Sequence, residues 1–551
     1  MAEWFKAAVL KTVERKLRGF ESYSLRQHLI EPSLTMLKSH NTPRKNPIIP
    51  SLSLHMRINF YRLIICVISF VVLSGCATNP ATGRMELMLV SEDREFKIGQ
   101  EVDLQVRDQL GVYIELPELR SKVKQVVENI GKNSDRPEII YRAEIVDTPD
   151  FNAFAVPGGF VYVHRGLLER INSVDELASV VAHEIAHVAA RHSASQISKT
   201  QLLNIGMLGA VIATGGEIQS FGDLINLGSI LAFSKFSRDD EREADYYGLK
   251  YMTKAGYNPE ASISVMKEIQ RLQDREPDSL EVWFMTHPPT SERIDLLNDE
   301  LDELSYIDPD ITKRKIRRNE FIALLDGMAV GEWNGKELVR DDRYYNKEFP
   351  LSIPIPSGWQ VLINNNDYTA VFVDAKNKSN AFFNIEALRT QKSSEAYLTE
   401  LSSRLEKGGL KRITDIGEFG NYSHGALSVT YSGRSSDIGA VNAKLIAFTR
   451  EGTGYSILGI GKQDSFETLA PLFDQMINGL VFLSAEEVLK MEPPRMTVHS
   501  VSQGESWDTI TKQYFKDTKE KEKLAEYNGM SATDPLTPGT LLKIPPSTRF
   551  R

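Results

Sequence analysis

His183 and His187 stand four residues apart in the stretch Leu177 to Ser193, LASVVAHEIAHVAARHS, with Glu184 beside the first of them. On a helix this spacing puts both imidazoles on one face, one turn above the other. Such a pair can hold one zinc ion, and the adjacent Glu184 is the candidate general base of a hydrolase. The flanks read as helix: Ser173 with Glu176 makes a capping-box start, and Leu177, Val180 and Val181 form an apolar stripe. The same five-letter pattern also turns up by chance on ordinary amphipathic helices. The constraint therefore passes to the rest of the chain, which has to deliver a third ligand.

A third histidine six residues after the second, preceded by a glycine, is excluded, because Ala190 and Ser193 occupy those places. The alternative is a carboxylate from a second helix. Ser237 to Asp245, SRDDEREAD, opens with a good N-cap and acids in the first turn, and the pattern predicts a helix to about Ala255 that stops at Gly256. Glu241 shares a face with Ala244, Asp245 and Gly248, a small-residue side that can approach another helix. Glu243 lines up with Tyr247 and Lys250 and reads as a solvated charge. Glu241 is thus the expected ligand, with Asp245 one turn on holding a ligand histidine.

HEIAHVAARH (183–192) and EREAD (241–245), together with NAFAVPGGFVYVHRGLL (152–168) and HPPTSERI (287–294), resemble metallopeptidase family forty-eight in content and order. The resemblance covers roughly residues 78–335. It implies a mainly α-helical, gluzincin-type zinc peptidase domain with a small sheet, and one Zn²⁺ per chain held by His183, His187 and Glu241. It also implies that the strand after Asn152 binds substrate by edge addition, through Ala153, Phe154, Ala155, Gly158 and Gly159. The glycine pair would let a peptide backbone approach closely; the other reading of Pro157-Gly158-Gly159 is a plain hairpin turn. His287 is expected near the metal, either donating to the oxyanion or filling the open metal position in a latent state. Arg293 is expected either to stabilise the oxyanion or to pair with an acid. Both also have a purely structural reading, and His164 and His192 read as supporting residues rather than ligands.

A length of 551 predicts several domains, and 41% hydrophobic with 25% charged residues is ordinary for a soluble protein. The only cysteines, Cys66 and Cys76, supply no disulfide framework. Residues 56–75 read as a lipoprotein signal peptide. Met56-Arg57 and Arg62 are its basic part, and Leu63 to Leu73 is an apolar run too short to span a bilayer. Leu73-Ser74-Gly75-Cys76 resembles a bacterial lipobox, which implies Cys76 as the lipidated mature N-terminus. Ala77, in place of an aspartate, implies sorting to the outer membrane. Residues 1–55 are expected to be a mis-called extension: Ala2 to Ser22 back-translates into something like a serine tRNA gene. The first 75 residues carry 11 Lys and Arg against 4 Asp and Glu, so removing that net +7 takes the chain from −9 to −16. So acidic a chain excludes nucleic acid as a partner and leaves the lipid as its hold on the membrane.

Glu92 to Leu110 and Leu116 to Ile130 are predicted helices, and Ile139 to Val146 a strand. Two apolar stretches, Leu202 to Thr214 and Leu224 to Phe233, are too short to span a membrane and read as helices packed over the active-site cleft, where their glycines suit a lid; the other reading is contact with the membrane or a partner protein. The peptidase domain is placed at 76–335. Residues 341–485 read as an α+β domain without a chemical constellation. Residues 496–546 follow a Pro493-Pro494 linker and resemble a LysM module of βααβ fold, through GESW (504–507), Tyr527-Asn528, LTPG (536–539) and LKIP (542–545). That resemblance implies binding of peptidoglycan, with contacts from Gly504, Glu505, Ser506 and Asn528. The whole reads as a zinc metalloendopeptidase on the periplasmic side of the outer membrane, cutting extended segments of misassembled envelope proteins. The alternatives are a zinc amidase acting on peptidoglycan peptides and a non-proteolytic chaperone or scaffold.

Overall fold

The computed structural model describes residues 76–202, 236–275, 280–287, 292–331, 333, 337–362, 369–374, 381–419, 425–435 and 439–547. The expected signal peptide, the extension before it and the stretches read as a lid lie outside them, apart from Leu202. Among the described residues no helix is long and apolar enough to cross a membrane.

The chain opens with a hairpin of β1 (Cys76–Thr78) and β2 (Met85–Leu87). Ser91 then caps α1 (Glu92–Gln109), and Pro117 begins α2 (Pro117–Lys132), where its missing N–H costs nothing. A three-stranded sheet follows, of β3 (Arg142–Val146), β4 (Ala153–Val156) and β5 (Phe160–His164), in the order β3-β5-β4. β3 runs parallel to β5 and β4 antiparallel to it, so β4 is an edge strand. After the short α3 (Arg165–Arg170) comes α4 (Val174–Ala189), the helix of the two histidines. Ser173 does cap it. The Glu176 carboxylate, however, reaches past Ser173 and accepts the N–H of Asn172 at 2.5 Å, so the expected reciprocal box is not formed. The stripe expected on α4 also understates its burial: only Glu176 and Ser179 are not fully covered. The helix is central, packed against α2, β4, α5 (Arg238–Lys254) and α6 (Glu260–Arg275). α7 (Glu281–Thr286), α8 (Glu292–Ile307) and α9 (Arg318–Ala323) complete this part.

His164 at the end of β5 lies away from the histidine cluster, buried, with its Nδ1 2.6 Å from the Thr148 hydroxyl. Burial depresses its pKa from 6.5 to about 3. Between those pH values the unfolded chain takes up a proton that the folded chain refuses, so stability falls as pH drops from 6.5 towards 3. The slope is up to about 1.4 kcal/mol per pH unit. His164→Asn keeps a partner for Thr148 and does not titrate. In denaturant unfolding with chelator present, it should resist acidification from pH 7 to 5 better than wild type by about 2 kcal/mol. Parallel losses in the two proteins would sink this assignment.

The next unit pairs β6 (Glu337–Arg340), β7 (Arg343–Asn346) and β8 (Leu351–Pro354) with β17 (Val481–Phe482). Its larger antiparallel sheet is built from β9 (Trp359–Leu362), β10 (Thr369–Asp374), β11 (Ala381–Arg389), β12 (Lys411–Arg412), β13 (Gly417–Glu418), β14 (Leu427–Ser435), β15 (Gly439–Arg450) and β16 (Thr453–Lys462). α10 (Ser394–Lys407) covers one face through Leu398, Leu401 and Leu405, and α11 (Phe466–Asn478) covers the other through Phe473, Met476 and Ile477.

After α12 (Ala485–Leu489) the chain returns to the first part. The linker is pinned there: Val330 N–H donates to Pro494 O at 2.8 Å and Met496 N–H to Met328 O at 2.8 Å. The last segment runs β18 (Thr497–Ser500), α13 (Trp507–Phe515), α14 (Lys521–Tyr527) and β19 (Leu541–Ile544), with the two strands antiparallel. It docks on α3. The Lys543 ammonium, fully buried, donates to the carbonyls of Glu169, Arg170 and Ile171 at 2.7–3.0 Å, at the negative C-terminal end of that helix. Asn528, expected to touch glycan, is buried in the same joint. It donates to Leu524 O and Lys543 O and accepts from Lys543 N–H and Arg318, so it is a structural residue and not a sugar contact. Gly504 and Ser506 remain exposed. Ser506 caps α13, and Glu505 accepts from Ser502 N–H and lies 2.9 Å from His499 Nε2.

Candidate metal centre

α4 and α5 cross with their backbones close together, and glycine is what allows it. A Cβ on Gly248 would stand 3.0 Å from His183 N and 3.1 Å from Ala182 C. This contact brings the first turn of α5 over the two histidines. α5 is started by a full capping box between Ser237 and Asp240, and it ends at Lys254, with Ala255 as C-cap and Gly256 at φ 86° beyond. Glu241 on its buried face lies 3.6 Å from His183 Nε2 and 3.7 Å from His187 Nε2, and those two nitrogens are 3.1 Å apart.

His287, at the end of α7, enters the same cluster. Its Nδ1 is 2.9 Å from Glu241 Oε1 and 3.4 Å from His183 Nε2. One ligand atom from each of His183, His187, Glu241 and His287 lies within 4.8 Å of the others, and all four residues are buried. Glu184 Oε1 and His287 Nε2, 3.4 Å apart at this cluster, are buried without a hydrogen bond. Three imidazoles and a carboxylate converging in a buried pocket are the donor set of zinc, and the site fits one zinc ion. Of the two roles expected for His287, the structure places it at ligand distance.

The supporting residues are equally specific. Asp245 Oδ1 lies 3.0 Å from His183 Nδ1, which turns Nε2 of that ring towards the cluster. Arg293 clamps Asp245 with two hydrogen bonds of 2.7 Å and puts its remaining nitrogen 2.8 Å from Glu241 Oε2. Its guanidinium is thereby committed to two acids, which corrects the expectation that it serves an oxyanion. Burial opposes charge on both carboxylates, but His287, His183 and Arg293 outweigh it at Glu241, which stays well below the usual carboxylate range, and Arg293 and His183 do so at Asp245. At Glu184 burial dominates and raises the pKa, as a proton-accepting and proton-returning group requires. Glu243 is not the solvated charge its position suggested: it pairs with Arg84 at 2.9 Å and lies 3.4 Å from His192 Nε2. Sequence reasoning missed Phe236, whose ring stacks on His187 at 3.9 Å.

The edge strand β4 runs beside this cluster. The carbonyl of Asn152 accepts the N–H of His164 at 3.0 Å, so pairs 152/164 and 154/162 carry the ladder bonds, and Ala153 and Ala155 turn their backbone groups to the outer edge, which no described strand pairs. The Ala155 N–H donates to Glu184 Oε2 at 3.0 Å. Phe154 packs inward on Tyr162. Gly158 and Gly159, expected on the substrate edge, are buried in the hairpin turn instead. A Cβ there would stand 2.7 Å from Phe96 Cα and 2.5 Å from Ile139 Cγ2, so the close approach they permit is to this chain's own α1 and β3 flank.

Residues 117–301 match peptidase family M48. They form a zinc metalloendopeptidase domain. The M48 match runs from α2 into α8 and takes in every residue of the cluster. Among curated proteins, the mitochondrial metalloendopeptidase OMA1 of Schizosaccharomyces pombe is 31% identical over 229 residues, which are 41% of this chain and 66% of the relative. The beta-barrel assembly-enhancing protease of Yersinia pestis is 27% identical over 227 residues, 39% of this chain and 45% of the relative. Metalloprotease YcaL of Escherichia coli is 28% identical over 185 residues, 33% of this chain and 69% of the relative. The chain spans about half the length of the curated relatives it matches first.

Proposed function

We propose that this M48 domain belongs to a cell-envelope endopeptidase that cleaves extended segments of misfolded or misassembled envelope proteins. Its lipid on Cys76 ties it to the outer membrane, and residues 496–546, as a LysM module, tie it to peptidoglycan. The observation that carries the peptidase reading is the hydrogen bond from Ala155 to Glu184: the base, the metal cluster and a strand edge that no described strand pairs meet at one place. A peptide added to that edge places its carbonyls beside Glu184. When bound, zinc polarises the scissile carbonyl and brings the pKa of a water to about 7. Glu184 would take the proton of the attacking water and return it to the leaving amine; burial favours the first transfer by weakening its charged form. His183, His187 and Glu241 would hold the metal, with Asp245 and Arg293 fixing two of them. The envelope setting draws on the lipobox-like sequence and on relatives named as beta-barrel assembly-enhancing proteases.

His287 would compete as a further ligand in this reading, which would give a latent state. Zinc content and casein cleavage should be measured on residues 77–551, beside His287→Ala. We expect one zinc in both proteins and cleavage several-fold faster in the variant, because a competing ligand lowers the fraction of open sites. Zinc absent from both would sink the enzyme reading. Muropeptide release without casein cleavage would move the activity to an amidase.

A further inference from the structure

His187 presents Nε2 to the metal cluster and Nδ1 to His192, whose own Nδ1 is 2.8 Å away. Only one hydrogen fits between those two nitrogens. If His192 supplies it, His187 carries its hydrogen on Nε2 and cannot bind metal there. If His187 supplies it, Nε2 is a free lone pair. The second arrangement leaves the hydrogen of His192 on Nε2, where Glu243 Oε2 stands at 3.4 Å and Asp240 Oδ1 at 3.8 Å. Two carboxylates therefore select the tautomer of His192 that accepts from His187.

The backbone is bent to make this contact. Arg191 sits at φ 56°, a conformation unfavourable for a side chain of its size, just after the C-cap Ala190. Its guanidinium holds Glu95 at 2.7 Å and Val90 O at 2.8 Å, and Arg136 holds the other oxygen of Glu95 at 3.0 Å, all of them buried. Asn79 of the first hairpin binds Ala190 O at 2.7 Å. This frame turns the chain so that the next residue, His192, folds back under His187.

We propose that His192 is a positioning residue, held by Glu243, that fixes His187 in its metal-binding tautomer and thereby sets zinc affinity. The proposal rests on the metallopeptidase reading, and zinc competition against a chromogenic chelator separates the two. Full-length protein should be compared with His192→Leu, His192→Asn and Glu243→Ala. His192→Leu removes the acceptor, and zinc should bind about 10–100-fold more weakly, the usual effect of losing a partner behind a ligand. Asn offers an oxygen near the position of Nδ1 and should keep affinity within about threefold of wild type. Glu243→Ala, on the partly exposed side, should fall between them. Wild-type affinity in His192→Leu, or equal losses in the Leu and Asn variants, would overturn the relay. If His192→Leu does not fold, unchanged zinc binding in Glu243→Ala overturns it alone. A wild-type protein that binds no zinc overturns the metallopeptidase reading itself.

Discussion

Glu184→Gln should abolish protein cleavage while leaving zinc content unchanged. The side chain is not one of the four that converge as ligands, so metal retention is the expected outcome. Its loss removes the only described carboxylate beside the cluster that is neither a ligand nor held by Arg293. Removing a positioned general base costs about 10²–10⁴-fold in rate. The amide still accepts from Ala155, so the edge strand stays in place. Burial penalises the charged form of Glu184, and one of its oxygens has no hydrogen bond. A neutral isostere relieves that penalty, so resistance to denaturant should rise, not fall. Activity lost together with stability would mark Glu184 as structural; activity retained would remove it from the mechanism.

The metal cluster was largely legible in the sequence because its constraints are local. The spacing of His183 and His187 is helical periodicity. Glu241 could be preferred to Glu243 because Ala244 and Gly248 mark the side of a helix that approaches another, and the structure puts Gly248 against His183. What stayed illegible depends on contacts distant in sequence. Asn528 read as a loop residue free for sugar, yet its partners include Arg318, 210 residues away. Glu243 read as solvated because its partners, Arg84 and His192, belong to other elements. Arg293 had two open readings, and only the packing of α8 on α5 shows that Asp245 and Glu241 claim it. A pattern of residue types tells which face of a helix is small or polar; it does not tell which distant element will meet that face.

Replacing Gly248 tests this directly, because the contact is between backbones and neither can rotate away. For Gly248→Ala two effects oppose. Alanine gains about 1 kcal/mol of helix propensity over glycine. Against that, its methyl would sit 3.0–3.1 Å from His183 N and Ala182 C, so the helices must part by a few tenths of an ångström, at a cost of order 1 kcal/mol. Stability should therefore change little, while zinc affinity drops modestly because Glu241 and Asp245 ride on the helix that moves. Valine adds two more methyl groups in the same gap and gains less propensity. We expect Gly248→Val to lose about 3 kcal/mol in denaturant unfolding with chelator present. It should also bind zinc far more weakly and lose cleavage of casein. The order glycine, alanine, valine should hold for zinc affinity even though glycine and alanine are nearly equal in stability. If valine keeps both stability and zinc, the close crossing of α4 and α5 is not what holds Glu241 over the histidines.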